Sequence, residues 1–366
     1  MSHLLAIAAG GTGGHMFPAQ ALAEEMLERG WTVILTTDER GARYASGFPG
    51  DVKRVELSSA SFARGGVLAK LIVPWQLMMG GTEARRLFKR RRPDVVAGFG
   101  GYPSLPALSA ALAMGIPRLI HEQNGVLGRV NKLFATRVNR VVCGTWPVTN
   151  APRGAELIHL GNPVRDPIKR MANMPYLPAK PTGALRVLVI GGSQGARALS
   201  RFTPHALVTL PEQMRKRLRV VHQARDEDAE QAKAVYSRGK IEAEVQPFFD
   251  DIPRRLRQAH LIVSRAGASS VAEIAVMARP AILIPYPHAM DDHQSANARA
   301  LELVGGAVVL RESGLTRETL SQHIQSILED PARASTMSDN AREVARPQAA
   351  NDLANLVETL GLSGIG

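Results

Sequence analysis

Cysteine and aromatic residues are scarce in this chain of 366 residues. Cys143 is the single cysteine, which excludes an intrachain disulfide framework and a cysteine-based zinc cluster and is typical of a reducing cytoplasm. Aromatic residues account for 5% of the chain, and no basic segment is interleaved with the aromatic side chains on which single-stranded nucleic acid stacks. The composition therefore argues against a secreted disulfide-rich protein and against a single-strand binder.

Long apolar runs are also missing. The stretch from Leu105 to Ile116 is too short to span a bilayer and is interrupted by Pro106. The apolar run of residues 4–9 leads directly into a glycine loop, without the basic lead and cleavage site of a secretory signal. We therefore expect a soluble or peripheral protein.

Two common nucleotide-binding signatures are absent as well. Neither glycine loop has the spacing G-x-G-x-x-G, because Met16 occupies the third position of the first loop and the second reads Gly192-Ser193-Gln194-Gly195. No G-x-x-x-x-G-K-[ST] sequence occurs. Asp38, after the second predicted strand, is either an imitation of a ribose-binding acid or an ordinary turn residue. These absences argue against an NAD(P)-dependent oxidoreductase and a P-loop nucleotidase.

What the chain does contain is a glycine-rich phrase that occurs twice. The apolar runs 4–9 and 186–190 resemble buried strands, and each breaks into a glycine loop that opens a helical pattern, Gly10 to His15 and Gly191 to Arg197. Glycine lets backbone N–H groups approach a ligand closely, and the N-terminus of the following helix favours an anion. A third cluster, Gly98 to Tyr102, is either a tight turn or a further point of ligand approach. The loops predict a phosphorylated ligand.

In each half of the chain, apolar strand-like runs alternate with helical stretches, which is typical of a parallel, doubly wound α/β sheet. The predicted strands are 4–9, 32–36, 94–97, 118–121 and 139–143 in the first half, and 186–190, 218–222, 260–263, 281–285 and 307–310 in the second. The predicted helices include 18–29, 103–114 and, with breaks at Pro331 and Pro347, most of 316–360. Turn-forming residues at 161–165 and 175–181 mark a linker. We predict two Rossmann-like domains, residues 1–163 and 164–346, that face a cleft.

Positive charge is in excess, with a formal net charge of +12 and an isoelectric point near 10.3. Within residues 68–92, apolar residues at helical spacing precede a cluster of basic residues. Pro74 is expected to bend or break the helix. The apolar residues are Leu68, Leu71, Ile72, Trp75, Met78 and Met79, and the basic ones are Arg85, Arg86, Lys89, Arg90, Arg91 and Arg92. This segment is either a buried core helix or a surface that sits on anionic lipid headgroups. An anionic membrane is a better candidate partner than nucleic acid.

Polar residues at predicted strand ends of the first half are candidates for proton transfer. His15 ends the first glycine loop, and an imidazole exchanges protons near neutral pH. His121-Glu122-Gln123-Asn124 follow an apolar strand, where polar residues are costly to bury without specific hydrogen bonds. Glu122 is a second candidate base.

The second half offers a candidate phosphate and ribose site. Residues 264–273 again combine a strand, a turn of small residues and a helix, so the backbone N–H groups of residues 268–270 can bind phosphate. Glu273 either accepts hydrogen bonds from both hydroxyls of a ribose or pairs with Ser269 or Ser270 in a capping box.

Acidic residues occur together at 226–228 and 291–292, but Mg²⁺ or Mn²⁺ needs oxygen ligands that converge in space. The first group lies in a polar helical stretch that is most simply a solvated face. We predict no dedicated metal site. Instead, we expect helix termini and Arg165 or Arg197 to neutralise the negative charge of the phosphate.

Together these phrases closely resemble one family, the membrane-associated MurG N-acetylglucosaminyltransferases of peptidoglycan synthesis. The matching segments run through nearly the whole chain in the family's order: Gly10 to His15, Phe17-Pro18, Gly98 to Tyr102, His121 to Asn124, Gly161 to Arg165, Gly191 to Arg197, Phe248 to Asp251, Ser264 to Glu273 and Asp291 to Gln294. The resemblance implies a GT-B architecture, with a final helix at about 347–366 that returns to the first domain.

The resemblance also implies an activity. N-acetylglucosamine would pass with inversion from UDP-N-acetylglucosamine to the C4 hydroxyl of lipid I, the undecaprenyl-pyrophosphoryl-N-acetylmuramyl-pentapeptide, to give lipid II. The enzyme would need no cofactor and would lie peripherally on the cytoplasmic face of the inner membrane. A UDP-sugar 2-epimerase on a similar scaffold is the alternative, and a nucleic-acid-binding protein is a more distant one.

Individual roles follow from the same resemblance. The substrate-binding positions it implies are Thr12, Gly13, Gly14, Asn124, Arg165, Ser193, Phe249, Ala268, Ser269, Ser270, Val271, Ala272, Glu273 and Gln294. Arg165 and Ser193 would meet the diphosphate, and the main chain near Phe249 would meet the uracil. Glu273 would bind the ribose and Gln294 the sugar hydroxyls.

Two further expectations concern residues at the sugar. Asn124 would contact it, while the region 286–293 matches the family less closely, so no role is assigned to His293. The proton acceptor is His15 or Glu122, and His15 is favoured.

Overall fold

The computed structural model describes residues 3–11, 13–43, 45–58, 67–191 and 196–363, with the side chains of residues 67–77 and 363 left aside. The chain divides into two compact units, one formed by Met1–Arg165 with Arg346–Gly366 and the other by Asp166–Ala345. Each unit is built on one parallel sheet.

The first unit contains a seven-stranded sheet in the order β3-β2-β1-β4-β5-β6-β7. Its strands are β1 (Leu4–Ala8), β2 (Thr32–Thr37), β3 (Lys53–Glu56), β4 (Val95–Gly98), β5 (Arg118–Glu122), β6 (Arg140–Cys143) and β7 (Leu157–His159). Its helices in this part of the chain are α1 (Gly13–Glu28), α2 (Glu39–Ala42), α3 (Val67–Arg90), α4 (Ser104–Ala113) and α5 (Arg129–Phe134), with a 3₁₀ turn at Ala45–Gly47.

The second unit contains a six-stranded sheet in the order β10-β9-β8-β11-β12-β13. Its strands are β8 (Leu185–Ile190), β9 (Leu218–Gln223), β10 (Glu242–Gln246), β11 (Leu261–Ser264), β12 (Ala281–Leu283) and β13 (Ala307–Val309). Its helices are α6 (Asp166–Lys169), α7 (Arg197–Val208), α8 (Glu212–Arg215), α9 (Asp226–Arg238), α10 (Ile252–Gln258), α11 (Ala268–Val276), α12 (His293–Leu303), α13 (Arg317–Leu328) and α14 (Pro331–Glu343), with 3₁₀ turns at Met290–Asp292 and Glu312–Gly314.

Strand order places the glycine-rich loops at the point where each sheet reverses direction. In the first sheet the reversal lies between β1 and β4, and in the second between β8 and β11. Ligands of doubly wound sheets bind outside the carboxyl ends of the strands at this switch point. The three glycine clusters and the 264–267 turn all follow one of these four strands.

The core of the first unit lies on both faces of its sheet. Along β1, Leu5 and Ile7 face one apolar cluster while Ala6 and Ala8 face the other. The last helix, α15 (Ala349–Ser363), supplies Leu353, Ala354 and Val357 to the first of these clusters. Arg29, directly after α1, forms an ion pair with Glu358 of α15 at 2.7 Å.

Most predicted elements are confirmed, including the helices separated at Pro331 and Pro347. Strands β3, β7 and β10 were not predicted, because β3 and β10 carry mostly exposed polar residues and β7 has only three residues. Pro74 does not break its helix, since α3 is continuous over 24 residues from Val67 to Arg90; the other alternative, a bend at Pro74, stays a prediction. One missing backbone hydrogen bond is a local cost that a helix of this length tolerates. No helix of the described residues is both long and apolar enough to cross a bilayer.

Candidate functional site

His15 lies in the first turn of α1, just after the loop that follows β1. Its ring packs against the turn after β4, where Gly100 and Gly101 have φ angles of 85° and 71°. A Cβ at Gly100 would lie 3.5 Å from His15 Cε1, and one at Gly101 would lie 3.6 Å from His15 Cδ2. The left-handed backbone favours glycine at both positions, and the ring of His15 lies at ordinary contact distance from them. The third glycine cluster therefore forms a wall beside His15.

Gln123 connects His15 to the buried end of β5. Its Oε1 lies 2.8 Å from His15 Nδ1, and its Nε2 lies within 3.1 Å of Phe99 O, His121 O and His121 Nδ1. His121 Nε2 lies 3.1 Å from the carbonyl oxygen of Gly161. Burial lowers the pKa of His121 to about 4, so its ring is neutral at pH 7. A continuous hydrogen-bonded chain thus leads from the carbonyl of Gly161 to His15.

Glu122 is buried and its carboxylate is fully engaged by donors. Oε1 accepts hydrogen bonds from Asn124 N at 3.0 Å and Asn124 Nδ2 at 3.2 Å. Oε2 accepts from Gly128 N at 2.8 Å and Asn131 Nδ2 at 2.9 Å. Four donors converge on one carboxylate, so Glu122 fixes the loop that carries Asn124.

The first glycine loop is fastened by Asp38. Its Oδ1 accepts hydrogen bonds from Gly11 N at 3.2 Å and from Gly41 N at 2.8 Å, the second as the N-cap of α2. A Cβ at Gly10 would lie 2.6 Å from the same oxygen. Asp38 therefore serves as an ordinary turn residue, one of the two alternatives that the sequence left open. Thr12 lies outside the described residues.

Gly13 and Gly14 open α1, with Gly13 buried and Gly14 exposed. Arg165, at the end of the G-N-P-V-R segment, places its guanidinium 5.3 Å from the ring centroid of Phe17 on the same helix. This contact holds a half-buried cation near the start of α1.

The second glycine loop leaves β8 at Gly191, and Ser193 falls outside the described residues. Arg197 begins α7 with its side chain 74% exposed, 3.8 Å from Glu227 and 4.0 Å from Asp228. Those acids occupy the first turn of α9 and also pair with Arg225. The acidic group at 226–228 is thus a helix start with cationic partners.

The turn between β11 and α11 presents a helix N-terminus at the carboxyl end of a central strand. Gly267 is the N-cap, and no side chain caps the helix. The N–H groups of the first turn have no acceptor within a helix, and they favour an anion. Ser269 Oγ is buried without a hydrogen-bond partner among the described residues.

Glu273 lies in the second turn of α11 and is buried, 8% exposed. A capping box requires the acid at the third helical position and a hydroxyl residue as N-cap. With Gly267 as N-cap, that position belongs to Ser270. The capping-box alternative is therefore wrong. Val271 is buried and Ala272 half-buried in the turn before Glu273.

Two amides of α12 hold this turn in place. Gln294 Oε1 accepts hydrogen bonds from Ala266 N at 3.2 Å and Tyr286 N at 2.9 Å. Asn297 Nδ2 donates to the carbonyl oxygen of Ala266 at 3.0 Å. Because two donors engage the oxygen of Gln294, its NH₂ end is the part of the amide that can donate to a ligand.

Phe249 is buried, 4% exposed, under the guanidinium of Arg255 at 4.2 Å from the ring centroid. A hydrogen bond from Arg255 lowers the pKa of Asp251, and Arg255 also binds Glu244 through two nitrogens at 2.6 and 3.0 Å. Beside them lies a cavity of about 510 Å³, lined also by the exposed ring of Phe248.

The acids at 291–292 lie just before α12 with φ angles of 54° and 49°, in the left-handed region. His293 Nδ1 lies 2.8 Å from the carbonyl oxygen of Met290. Within the described part of the chain, no three acidic, histidine or cysteine side chains group as metal ligands.

Comparison with known proteins decides the family. Residues 5–143 match the N-terminal domain of glycosyltransferase family 28, and residues 186–355 match its C-terminal domain. The crystal structure of Acinetobacter baumannii MurG superposes with a TM-score of 0.80 at 30% identity, covering 98% of this chain and 100% of that one. The chain belongs to the MurG family of glycosyltransferases.

Relatives in the MurG family extend this likeness. The chain is 51% identical over 361 residues to the UDP-N-acetylglucosamine–N-acetylmuramyl-(pentapeptide) pyrophosphoryl-undecaprenol N-acetylglucosamine transferase of Caulobacter vibrioides, covering 98% of this chain and 99% of the relative. A protein of the same name from Phenylobacterium zucineum is 47% identical, with 96% and 97% covered. The calicheamicin glycosyltransferase CalG4, at 14% identity and a TM-score of 0.67 over 98% of both chains, shows the fold alone. MurG membership confirms the predicted GT-B architecture and the enzyme class, a UDP-sugar glycosyltransferase.

Sequence reasoning missed the residues that position the candidate site. Gln123 was noted only as one of four polar residues, and Asn131, Asn297 and the carbonyl of Gly161 were not considered. The four polar residues at 121–124, where β5 ends, were the available signal, because burial of such a run requires specific partners.

Proposed function

We propose that this chain transfers N-acetylglucosamine from UDP-N-acetylglucosamine to the C4 hydroxyl of lipid I, with inversion, to give lipid II. The observation that carries the proposal is 51% identity, over 98% of this chain, to a relative named for that transfer. No nucleic acid, metal or cofactor enters the proposed reaction.

The second unit would bind the donor. The first-turn amides of α11 from Ala268 to Ser270 would face the diphosphate, where negative charge develops as UDP departs. Glu273 would accept the ribose hydroxyls, and Gln294 would donate from its NH₂ end to a sugar hydroxyl. The backbone beside Phe249 would bind the uracil, and Ser193 and Arg165 would contact the diphosphate.

The first unit would activate the acceptor. In an inverting displacement, the C4 hydroxyl loses its proton as it attacks the anomeric carbon, and a positioned base assists this step. Two observations favour His15 over Glu122. Both carboxylate oxygens of Glu122 accept two hydrogen bonds each, from Asn124, Gly128 and Asn131. His15 is half-buried and bound through Nδ1 to Gln123. Thr12, Gly13, Gly14 and Asn124 would then orient the sugar.

The direct test is transfer of radiolabel from UDP-N-acetylglucosamine to lipid I. Formation of labelled lipid II, with the unreacted donor still in the gluco configuration, is the expected result. Epimerised donor in the absence of lipid I would support the 2-epimerase instead, and no label in lipid would contradict the proposal.

Glu273→Ala is expected to weaken UDP affinity by about 10- to 100-fold, because a charge-assisted pair of hydrogen bonds to the ribose is lost. Glu273→Gln retains one acceptor oxygen, so its UDP affinity should lie between that of the native chain and that of Glu273→Ala. The measurement is titration calorimetry with UDP, with Glu302→Ala, an exposed acid of α12, as control. The same loss with 2′,3′-dideoxy-UDP would contradict the ribose contact.

Peripheral binding to the cytoplasmic face of the membrane would involve α3. Within the described side chains, Met78 and Met79 are 54% and 41% exposed, whereas Ala84 and Phe88 are buried in the core. At 100° per residue, the methionines share one face of the helix with four exposed basic residues, Arg85, Arg86, Lys89 and Arg90. An apolar and basic face of this kind suits anionic lipid headgroups.

Met78→Ser with Met79→Ser is expected to weaken binding to vesicles that contain anionic phospholipid by roughly tenfold, through loss of apolar contact. Leu303→Ser, which removes an exposed apolar side chain of the second unit, is the control and should leave vesicle binding unchanged. Equal flotation of all three proteins with the vesicles would rule out this face of α3.

A further inference from the structure

The hydrogen-bonded chain behind His15 begins at a carbonyl oxygen, which can only accept. His121 Nε2 lies 3.1 Å from the oxygen of Gly161, so this nitrogen carries the proton. The ring is completely buried and neutral. In a neutral imidazole with a proton on Nε2, Nδ1 is an acceptor.

The next link fixes which end of the Gln123 amide faces His15. One end lies 3.1 Å from His121 Nδ1, 3.1 Å from Phe99 O and 3.0 Å from His121 O. All three are acceptors, so this end must be the NH₂ group. Rotating the amide by half a turn would set its oxygen against two carbonyl oxygens and an imidazole lone pair.

The other end of the amide is therefore an oxygen, and it lies 2.8 Å from His15 Nδ1. An amide oxygen cannot donate, so His15 Nδ1 carries a proton. In the neutral ring of His15, Nε2 is then the unprotonated nitrogen.

We propose that Gln123 is a positioning residue that holds the proton of His15 on Nδ1, so that Nε2 receives the proton of the acceptor hydroxyl. The use of Nε2 as a base rests on the proposed function, whereas the position of the proton rests on the hydrogen bonds alone. Histidine without such a partner favours the tautomer with the proton on Nε2. A protonated Nε2 cannot accept the proton of the acceptor hydroxyl. His121 and the Phe99 carbonyl act one step further back, because they orient the amide.

The test is ¹⁵N NMR of protein labelled at histidine, which separates protonated from unprotonated ring nitrogens. The His15 signals are identified by their loss in His15→Gln. In the native chain we expect a protonated Nδ1 and an unprotonated Nε2 for His15. In Gln123→Met, which keeps the length of the side chain but has no acceptor oxygen, we expect the proton to shift towards Nε2.

Turnover gives the second readout. Gln123→Met should lower kcat by about 10- to 100-fold, the range known for residues that orient metal-binding histidines, with the KM for the donor unchanged. Gln20→Met removes a half-buried glutamine of α1, the helix that carries His15, where Gln20 donates a hydrogen bond to Glu24. It is the control and should retain the native tautomer and kcat.

A proton on Nε2 of His15 in the native chain would overturn the inference, and this result does not depend on whether Gln123→Met folds. An unchanged tautomer and kcat in Gln123→Met would overturn it as well. If the native chain shows the expected tautomer but does not transfer N-acetylglucosamine, the proposed function fails while the assignment of the proton is supported.

Discussion

His15→Ala is expected to lower turnover by about 10²–10⁴-fold while leaving UDP affinity nearly unchanged. The reason is that general-base assistance is lost from the step in which the acceptor hydroxyl attacks. His15 contacts Gln123 and the turn at Gly100 and Gly101. The donor contacts proposed for Glu273 and Gln294 lie on other elements. The measurement is a steady-state assay with lipid I, together with calorimetric titration of UDP.

A chemical rescue sharpens the result. The alanine variant leaves space where the imidazole stood, so added imidazole should restore part of the turnover of His15→Ala. It should not restore the turnover of other variants that lose activity. His323→Ala, a change in α13 of the second unit, is the matched control. Native turnover in His15→Ala would exclude His15 as the base.

Glu122→Ala is expected to lower the free energy of unfolding of the first unit by about 3–5 kcal/mol, because four donors lose a buried acceptor at once. For a unit of this size, that loss corresponds to a decrease in Tm of roughly 10 °C. Glu122→Gln should be milder, since its oxygen still serves two of the donors. The measurements are urea unfolding and a thermal scan.

Two comparisons distinguish the possible roles of Glu122. As a clamp, its carboxylate holds the loop of Asn124 in place; as a base, it takes the proton of the acceptor hydroxyl. Glu156→Ala removes an exposed carboxylate that pairs with Arg140 in the same unit, and we expect about 0–1 kcal/mol there. If Glu122 were the base, Glu122→Gln would abolish turnover at native stability. The interpretation as a clamp would then be wrong.

The central strands could be predicted from the sequence because both faces of a parallel sheet are covered, which makes such strands continuous apolar runs. Edge strands give no such signal, and β3 and β10 expose most of their side chains. The glycine loops were predicted to lie at strand ends, and the strand order now places them at the switch points of the two sheets. Which strands become neighbours is a long-range property that a local pattern does not contain.

The same limit applies to the candidate site. His15 could be singled out because it ends a glycine loop, but its partner Gln123 lies 108 positions away. Glu122 looked like a base because it is an acid after a buried strand. Its role as a clamp depends on Asn131, which has no sequence signal of its own. For Glu273, the exact start of a helix decided between two alternatives. α11 begins one residue after its N-cap Gly267, so Glu273 does not lie at the position that a capping box requires.

The position of α15 has a consequence for how the chain is made. Leu353, Ala354 and Val357 complete an apolar cluster that begins with Leu5 and Ile7, so the first unit lacks part of its core until α15 has left the ribosome. Domains usually fold in the order of their synthesis. Here the second unit, continuous from Asp166 to Ala345, can fold first. The first unit, although most of it is synthesised earlier, still has one face of its sheet incompletely covered at that stage.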